Sequence, residues 1–296
     1  MSRIFHYTIP KEFEGKPLLS FLKEQRFSSP IITHLKRTER GILLNQEWGR
    51  VRDILHERDS LTLTLTEGET SDNIVPVPLP LPLEIIYEDE DLMVVNKQAG
   101  MPIHPSQGNY DNTLANAVAY LYHVRKEPFV YRCINRLDRD TTGLLILAKN
   151  MYSASLLSDM VKNREIHREY LAVATGLVPE QGVIDQPIGR VSGSTIEREV
   201  NSETGDAART HFQRLAYENG YSLVSLRLET GRTHQIRVHM KYIGHPLPGD
   251  FLYNPDYSNI KRQALHSYRL SFSHPIDGTP LTFTAPLPDD MRCFFS

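Results

Sequence analysis

Apolar residues fall along this chain in two rhythms, every third or fourth position and every second, and the switches between the rhythms divide it. Leu18, Leu19, Phe21 and Leu22 make a helical stripe. Ser28-Ser29-Pro30 then stops that helix and caps another, predicted over residues 30 to about 38 with Ile31, Ile32 and Leu35 on its buried side. Residues 41–45 read as a strand running into a turn, and residues 59–65 end in the strict alternation of a half-buried strand. Between Glu67 and Leu83 four prolines alternate with apolar residues, which predicts an extended, semi-rigid spacer. Beyond it come predicted strands at 84–87 and 92–95, a helix from 113 to about 122, a continuous apolar strand at 144–148, a helix over 152–162 and a strand over 169–175. Residues 187–206 are Gly-, Ser- and charge-rich and read as an exposed excursion holding a hairpin. Strand patterns resume at 208–215 and 222–229, a helical face follows at Ile236, Met240 and Ile243, and closing strands are expected at 265–272 and 281–283. The pattern therefore predicts a small module over residues 1–68, a linker over 69–83 and a larger domain over 84–296.

Composition narrows the class without naming it. A chain of 296 residues with 40% hydrophobic and 23% charged content has the make-up of a soluble globular protein with a large core. No apolar run approaches the length of a membrane span, and the start, MSRIFHYTIPKEFEGK, lacks the apolar centre of a signal peptide, so no membrane partner is expected. Two cysteines, Cys133 and Cys293, give neither a disulfide framework nor a zinc spacing; a reducing cytoplasm is the expected location. A net charge of −3 argues mildly against indiscriminate nucleic-acid binding, but what matters is where basic residues gather. Residues 22–52 hold seven basic side chains against three acidic ones, and Lys36, Arg37 and Arg40 sit at the end of the second predicted helix. A phosphate backbone can run past such a cluster, or the cluster can simply complement the helix dipole. Two short helices, a basic elbow and closing strands resemble a diverged S4-type RNA-binding domain, in which Lys36, Arg37 and Arg40 would be RNA contacts.

The densest chemistry lies in YRCINRLDRDTTGLLILAKN, residues 131–150. Arg136, Asp138, Arg139 and Asp140 come immediately before the apolar strand, and Gly143 opens it. Charges at the mouth of a buried strand must be paired or exposed in a cleft, because stranding one in a dry core costs several kcal/mol or more. They mark either a solvated turn or a carboxylate on a rigid support, with arginines to meet an anionic substrate. Lys162, Arg164 and Arg168 join Arg132, Arg136 and Arg139 in a second basic neighbourhood. In LETGRTHQIRVHMKYIGHPLPGD, residues 228–250, Arg237 and Lys241 share one helical face. His234 and His239 stand five apart with no cysteine nearby, so a metal site is not expected. His104, between two prolines, reads as a hydrogen-bonded loop residue.

NRLDRDTTGLLILAK, REYLAVATG and LETGRTHQIRVHMKYIGHPLPGD, in that order and after VVNKQAGMPIHP, resemble the signature stretches of the RluA-type pseudouridine synthases. The resemblance covers roughly residues 84–290. It implies an α+β fold with a mixed, mainly antiparallel sheet, joined to a small S4-like α/β domain, and an isomerase that needs no cofactor. The catalytic carboxylate it implies is Asp138, with Arg237 pairing to hold it ionised and fix its direction. Tyr170 would lie against the uracil face and help remove the C5 proton, Arg136 would enter the space left by a flipped base, Arg139 would meet RNA, and Asp140 would be structural. Asn135 stands where many members have His, Gln98 where Pro is frequent and Thr142 where Ser is frequent; Asn135 would alter how the loop meets RNA.

The implied partner is structured RNA, ribosomal RNA ahead of tRNA, with the protein acting as a monomer. Two other classes compete. A glycoside hydrolase would pair Asp138 with Asp140 across a sugar, yet the surrounding basic residues suit a phosphate backbone better than a neutral glycan. A pure RNA-binding or ribosome-assembly protein would keep the basic elbow without needing an Asp–Arg pair in a cleft.

Overall fold

Backbone pairing builds two main sheets around separate apolar cores, and one helix belongs to both. The computed structural model describes residues 2–66, 77–106, 108–128 and 130–295. The first part runs β1 (Ser2–Thr8), α1 (Leu18–Glu24), α2 (Ser29–Arg37), β2 (Ile42–Leu44), β3 (Glu47–Trp48) and β4 (Ser60–Thr66). Its sheet has the antiparallel order β1-β4-β2-β3, and Leu18, Phe21, Leu22, Ile31, Ile32 and Leu35 from the two helices pack with Leu61, Leu63 and Leu65 of β4. The helices and strands expected here lie within a residue or two of their predicted places. Strand β1 has no apolar signature to reveal it: it is paired along its whole length with β4, yet only Phe5 is buried.

The larger part runs β5 (Glu84–Glu88), β6 (Leu92–Lys97), α3 (Leu114–Arg125), β7 (Thr142–Ala148), α4 (Met151–Lys162), β8 (His167–Thr175), β9 (Gln181–Asp185), β10 (Ile188–Arg190) and β11 (Arg198–Val200). It continues with β12 (Arg209–Glu218), β13 (Tyr221–Leu228), α5 (Gln235–Tyr242), β14 (Leu265–Ser273) and β15 (Pro280–Thr284). The sheet order is β5-β6-β7-β14-β8-β13-β12-β9, with β15 also beside β14. Among the described residues only β7 and β14 run parallel, so the architecture is the mixed, mainly antiparallel α+β fold that the sequence implies. The expected excursion does hold a hairpin, β10 with β11.

Strand β7 is buried on both faces along all seven residues, which is why its sequence is a continuous apolar run. Gly143 is required where it meets β14. Its φ is 109°, and a Cβ there would sit 2.2 Å from the Ser267 carbonyl oxygen. At the other end of β7, Asn150 caps α4, its Oδ1 accepting from the backbone N–H groups of Tyr152 and Ser153.

The N-terminal unit docks against that end. Tyr152 of α4 stacks on Phe27 with ring centroids 4.1 Å apart and donates its hydroxyl to the Gln25 carbonyl, while Tyr152 and Leu156 join the N-terminal core. Arg3 forks onto buried Asp91 at 3.1 and 3.0 Å, and Asp91 also accepts from Asn150 and Ser153. Of the expected linker, residues 69–76 lie outside the described residues. Residues 77–83 run along α3: Asn116 donates to the Val77 carbonyl at 2.9 Å, and Leu81 and Leu83 pack on the larger core. Among the described residues no helix is long and apolar enough to cross a membrane.

The close backbone approach at Gly143 yields a test. Gly143→Ala should cost about 3 kcal/mol or more, because the clash is with main chain and not with a movable side chain. Denaturant unfolding reads this directly; a loss under about 0.5 kcal/mol would mean the β7–β14 contact is not as tight as described.

Candidate active site

The turn between Asp138 and Thr141 is short, and two buried basic side chains hold its carbonyls. Thr141 donates its N–H to the Asp138 carbonyl at 3.1 Å. The Lys97 ammonium, at the end of β6, donates to the carbonyls of Arg139 and Gln98, both at 2.8 Å. Arg262 reaches the Asp140 carbonyl at 3.3 Å and forks onto Asp290, and Gln263 donates to the Thr141 hydroxyl. The rigid strand behind and these donors below fix where the Asp138 carboxylate points.

The second half of the site is the start of α5. Gln235 satisfies its whole amide: Oε1 accepts from the Thr230 hydroxyl and the Arg232 N–H, while Nε2 donates to the Arg209 carbonyl and the Thr210 hydroxyl. The preceding residue, His234, is thereby held at φ 58° and ψ 18°, a left-handed conformation that is uncommon for any side chain but glycine. One turn into the helix, Arg237 is 1% exposed. Its Nε and Nη2 form a fork with Asp250, each at 2.7 Å, and its Nη1 donates to Asp138 Oδ2 at 2.8 Å. Asp250 is fully buried and its Oδ1 also accepts the N–H groups of Leu252 and Tyr253. The rings of Tyr253 and Phe251 lie 5.0 and 5.4 Å from the guanidinium carbon. Burial would lower the pKa of Arg237, but the two carboxylates more than reverse this and leave it raised.

Asp138 is thus half of an ion pair whose other half is anchored elsewhere. Its Oδ2 is taken by Arg237, and Oδ1 has no hydrogen-bond partner among the described residues. Asp138 lines a cavity of about 240 Å³ together with Tyr170, Arg136, Arg168 and His234. Tyr170 comes from β8 and is buried; burial raises its pKa, and Asp138 adds to the rise against the pull of Arg168. It is a neutral phenol at ordinary pH, so a ring face and a hydroxyl are what it offers.

Asp138, Tyr170 and Arg237 therefore meet in one cavity, with exposed Arg136 at its lining. Arg139 turns away and pairs with Asp140 at 2.8 Å, which leaves it half committed before any RNA arrives. Asp138 lines the cavity and Asp140 does not, so the two carboxylates do not share it. Lys36, Arg37 and Arg40 are exposed on the N-terminal unit, carry no ion pair among the described residues and do not line the cavity.

Asn135 is buried, and its Oδ1 accepts the Ile146 N–H at 2.9 Å, so the residue braces β7 from inside. His234 and His239 do not converge, since His239 bonds Thr210 and the Gln186 carbonyl while His234 bonds Tyr253. His104 sits edge-on to Tyr131 with ring centroids 5.1 Å apart. Among the described residues the one metal-like cluster is Asp89, Asp91 and His274, at the docking interface, where the Asp91 oxygens are already taken by Arg3, Asn150 and Ser153. Asp250 and Lys97 are the residues the sequence argument missed. Asp250 had a signal: it is the first carboxylate after a stretch from Gly231 to Gly249 that holds three Lys or Arg residues and no acid.

The family model described as RNA pseudouridylate synthase matches residues 91–242. The uncharacterized RNA pseudouridine synthase YjbO of Bacillus subtilis is 40% identical over 269 residues, covering 90% of this chain and 94% of that protein. Ribosomal large subunit pseudouridine synthase D of Zymomonas mobilis is 36% identical over 295 residues, covering 91% and 92%. The solved structure of human RNA pseudouridylate synthase domain containing 1 superposes with a TM-score of 0.58 at 27% identity, covering 73% of this chain and 86% of that one.

Lys97 supplies the test of this geometry. Burial pulls its pKa from 10.5 down to about 7, against the pull of Asp140 and Asp138 and with a further push down from Arg262. Between those values the unfolded chain binds a proton that the folded chain does not. Stability should therefore rise with pH across that window, by at most about 1.4 kcal/mol per pH unit, with the full penalty present below its lower edge. Lys97→Met removes this titration. Its unfolding free energy, measured from pH 7 to pH 10, should climb less steeply than wild type by about one proton; parallel slopes would show that Lys97 stays charged in the fold.

Proposed function

The chain belongs to the RNA pseudouridylate synthase family and isomerises uridine in RNA, and on that premise we propose that Asp138, Arg237 and Tyr170 carry the reaction in the cavity they share. The observation that supports this most directly is the divided ion pair. Arg237 is held by Asp250 and spends one remaining donor on Asp138 Oδ2, which leaves Oδ1 of this cavity-lining residue with no hydrogen-bond partner among the described residues.

Isomerisation breaks the bond from uracil N1 to ribose C1′, forms one from C5 to C1′, and moves a proton from C5 to N1. Atoms and electrons balance within the nucleotide, so the protein's task is positioning and charge. An anion beside the ribose stabilises the centre that loses the base, and a fixed arginine behind it keeps its direction through the turnover. Tyr170 offers a flat ring against the uracil and a neutral hydroxyl near its edge. A uridine inside folded RNA must leave its stack to arrive here, at a cost of a few kcal/mol. Arg136, exposed at the cavity lining, is placed in this reading to occupy the gap left in the helix.

We take large-subunit ribosomal RNA as the substrate, on the ground that relatives such as the Zymomonas mobilis protein are named for it. The N-terminal unit is read as S4-like, with Lys36, Arg37 and Arg40 on phosphates.

Two experiments test these statements. Asp138→Asn should lower turnover by at least about 10³-fold while RNA affinity stays within a few-fold. A pseudouridine map of ribosomal and transfer RNA, taken with and without the gene, should lose one or a few large-subunit sites that wild type restores and Asp138→Asn does not. Loss confined to tRNA would overturn the substrate, and an unchanged map would overturn the reading of the cavity. Separately, Arg37→Ala should weaken RNA binding and reduce the dependence of log affinity on log salt by about 0.7–0.9. An unchanged slope would remove that residue from the RNA contact.

A further inference from the structure

His234 is a side chain in the cavity that the reaction, as argued so far, does not use. Its Nδ1 lies 3.0 Å from the Tyr253 hydroxyl, and that hydroxyl accepts the Arg198 backbone N–H at 2.9 Å. With one lone pair taken by Arg198, the Tyr253 hydroxyl still has a proton to donate, and among the described residues His234 Nδ1 is the only acceptor beside it. With the Tyr253 hydroxyl donating to Nδ1, the imidazole carries its proton on Nε2, and this is the tautomer assigned here. Burial lowers its pKa, against the pull of Asp138, which keeps that tautomer neutral.

The Nε2–H faces Asp138 Oδ2 at 4.0 Å, too far for a direct hydrogen bond and near enough for one shared atom between them. A hydroxyl at ordinary hydrogen-bond distance from both would accept from one and donate to the other through an angle of about 90° at its oxygen. Only a group that is donor and acceptor at once can do this. A carbonyl or phosphate oxygen would satisfy the histidine and repel the carboxylate. On the reading of the cavity given above, the ribose lies against Asp138, and its 2′-hydroxyl is the one hydroxyl that distinguishes RNA from DNA.

We infer that His234 and Asp138 together bind the 2′-hydroxyl of the target uridine, His234 donating Nε2–H to it and Asp138 accepting its proton. His234 is then a specificity-determining residue for ribose. The left-handed backbone at His234 is the conformation that turns this ring from the helix start into the cavity. By filling one lone pair of the Tyr253 hydroxyl, the Arg198 N–H of the β10–β11 hairpin favours the Nε2–H form.

The test uses the full-length protein and an RNA fragment carrying the uridine identified by the pseudouridine map, with a matched fragment bearing 2′-deoxyuridine at that one position. Wild type should bind the deoxy fragment about tenfold more weakly. His234→Asn tolerates the left-handed backbone and keeps a polar atom near the position of Nδ1 but removes the outer donor, so the deoxy penalty should shrink to about two- or threefold. His234→Gln places an amide N–H near the position of Nε2 and should recover part of the discrimination. A merely structural role would weaken both fragments alike and leave their ratio unchanged. An equal penalty in wild type and His234→Asn overturns the inference while leaving the isomerase reading intact. Failure of wild type to convert the all-ribose fragment overturns both.

Discussion

One guanidinium shared by two carboxylates is the constraint on which the site depends. Arg237 is too deeply buried to stand alone, since an unpaired cation there would cost several kcal/mol, and Asp250 answers two of its nitrogens with ideal fork geometry. That pairing settles the plane of the guanidinium, and the plane decides where Nη1 emerges. The Asp138 carboxylate is thus steered by Asp250, which does not line the cavity. A lysine at position 237 would keep the charge and lose the steering, because an ammonium has no plane to transmit. The neighbouring elements serve the same end: Gln235 locks the start of the helix, and Lys97 and Arg262 hold the facing turn by its carbonyls.

Much of this was legible in sequence because charge beside a buried strand is improbable unless it is used. The charges just before the apolar run from Leu144 to Ala148 left a solvated turn and a supported carboxylate both open, and helical spacing put Arg237 on one face with Lys241; it was the resemblance to the RluA-type synthases that singled out Asp138 and Arg237. What escaped notice depends on tertiary placement. Asp250 follows a loop, and only folding brings it under Arg237. Lys97 ends a strand with the look of a solvent residue and is 2% exposed. Asn135 sits among arginines, yet its amide turns inward to a strand N–H. Strand β1 buries one residue and is held by its backbone, which leaves no apolar rhythm to read.

Strand β7 also sets the scale of the molecule. Asp138 lies before its first residue, and the N-terminal unit docks beyond its last, on α4 and Asp91. Seven residues of strand separate the two by about 20 Å, roughly the span of several stacked base pairs. The strand thereby sets how far the Asp138 turn stands from the contact with the N-terminal unit.

The stacking of Tyr152 on Phe27 bears on how the chain comes apart. Tyr152 and Leu156 belong by connectivity to the larger unit and by packing to the core of the smaller one. If the small unit melted first, it would strip an aromatic ring and a leucine from cover and leave the buried Asp91 carboxylate without its arginine. Neither unit has a free energy of unfolding that is wholly its own. The stabilities of the two are thus coupled, although two sheets and a proline-rich connection would suggest beads on a string.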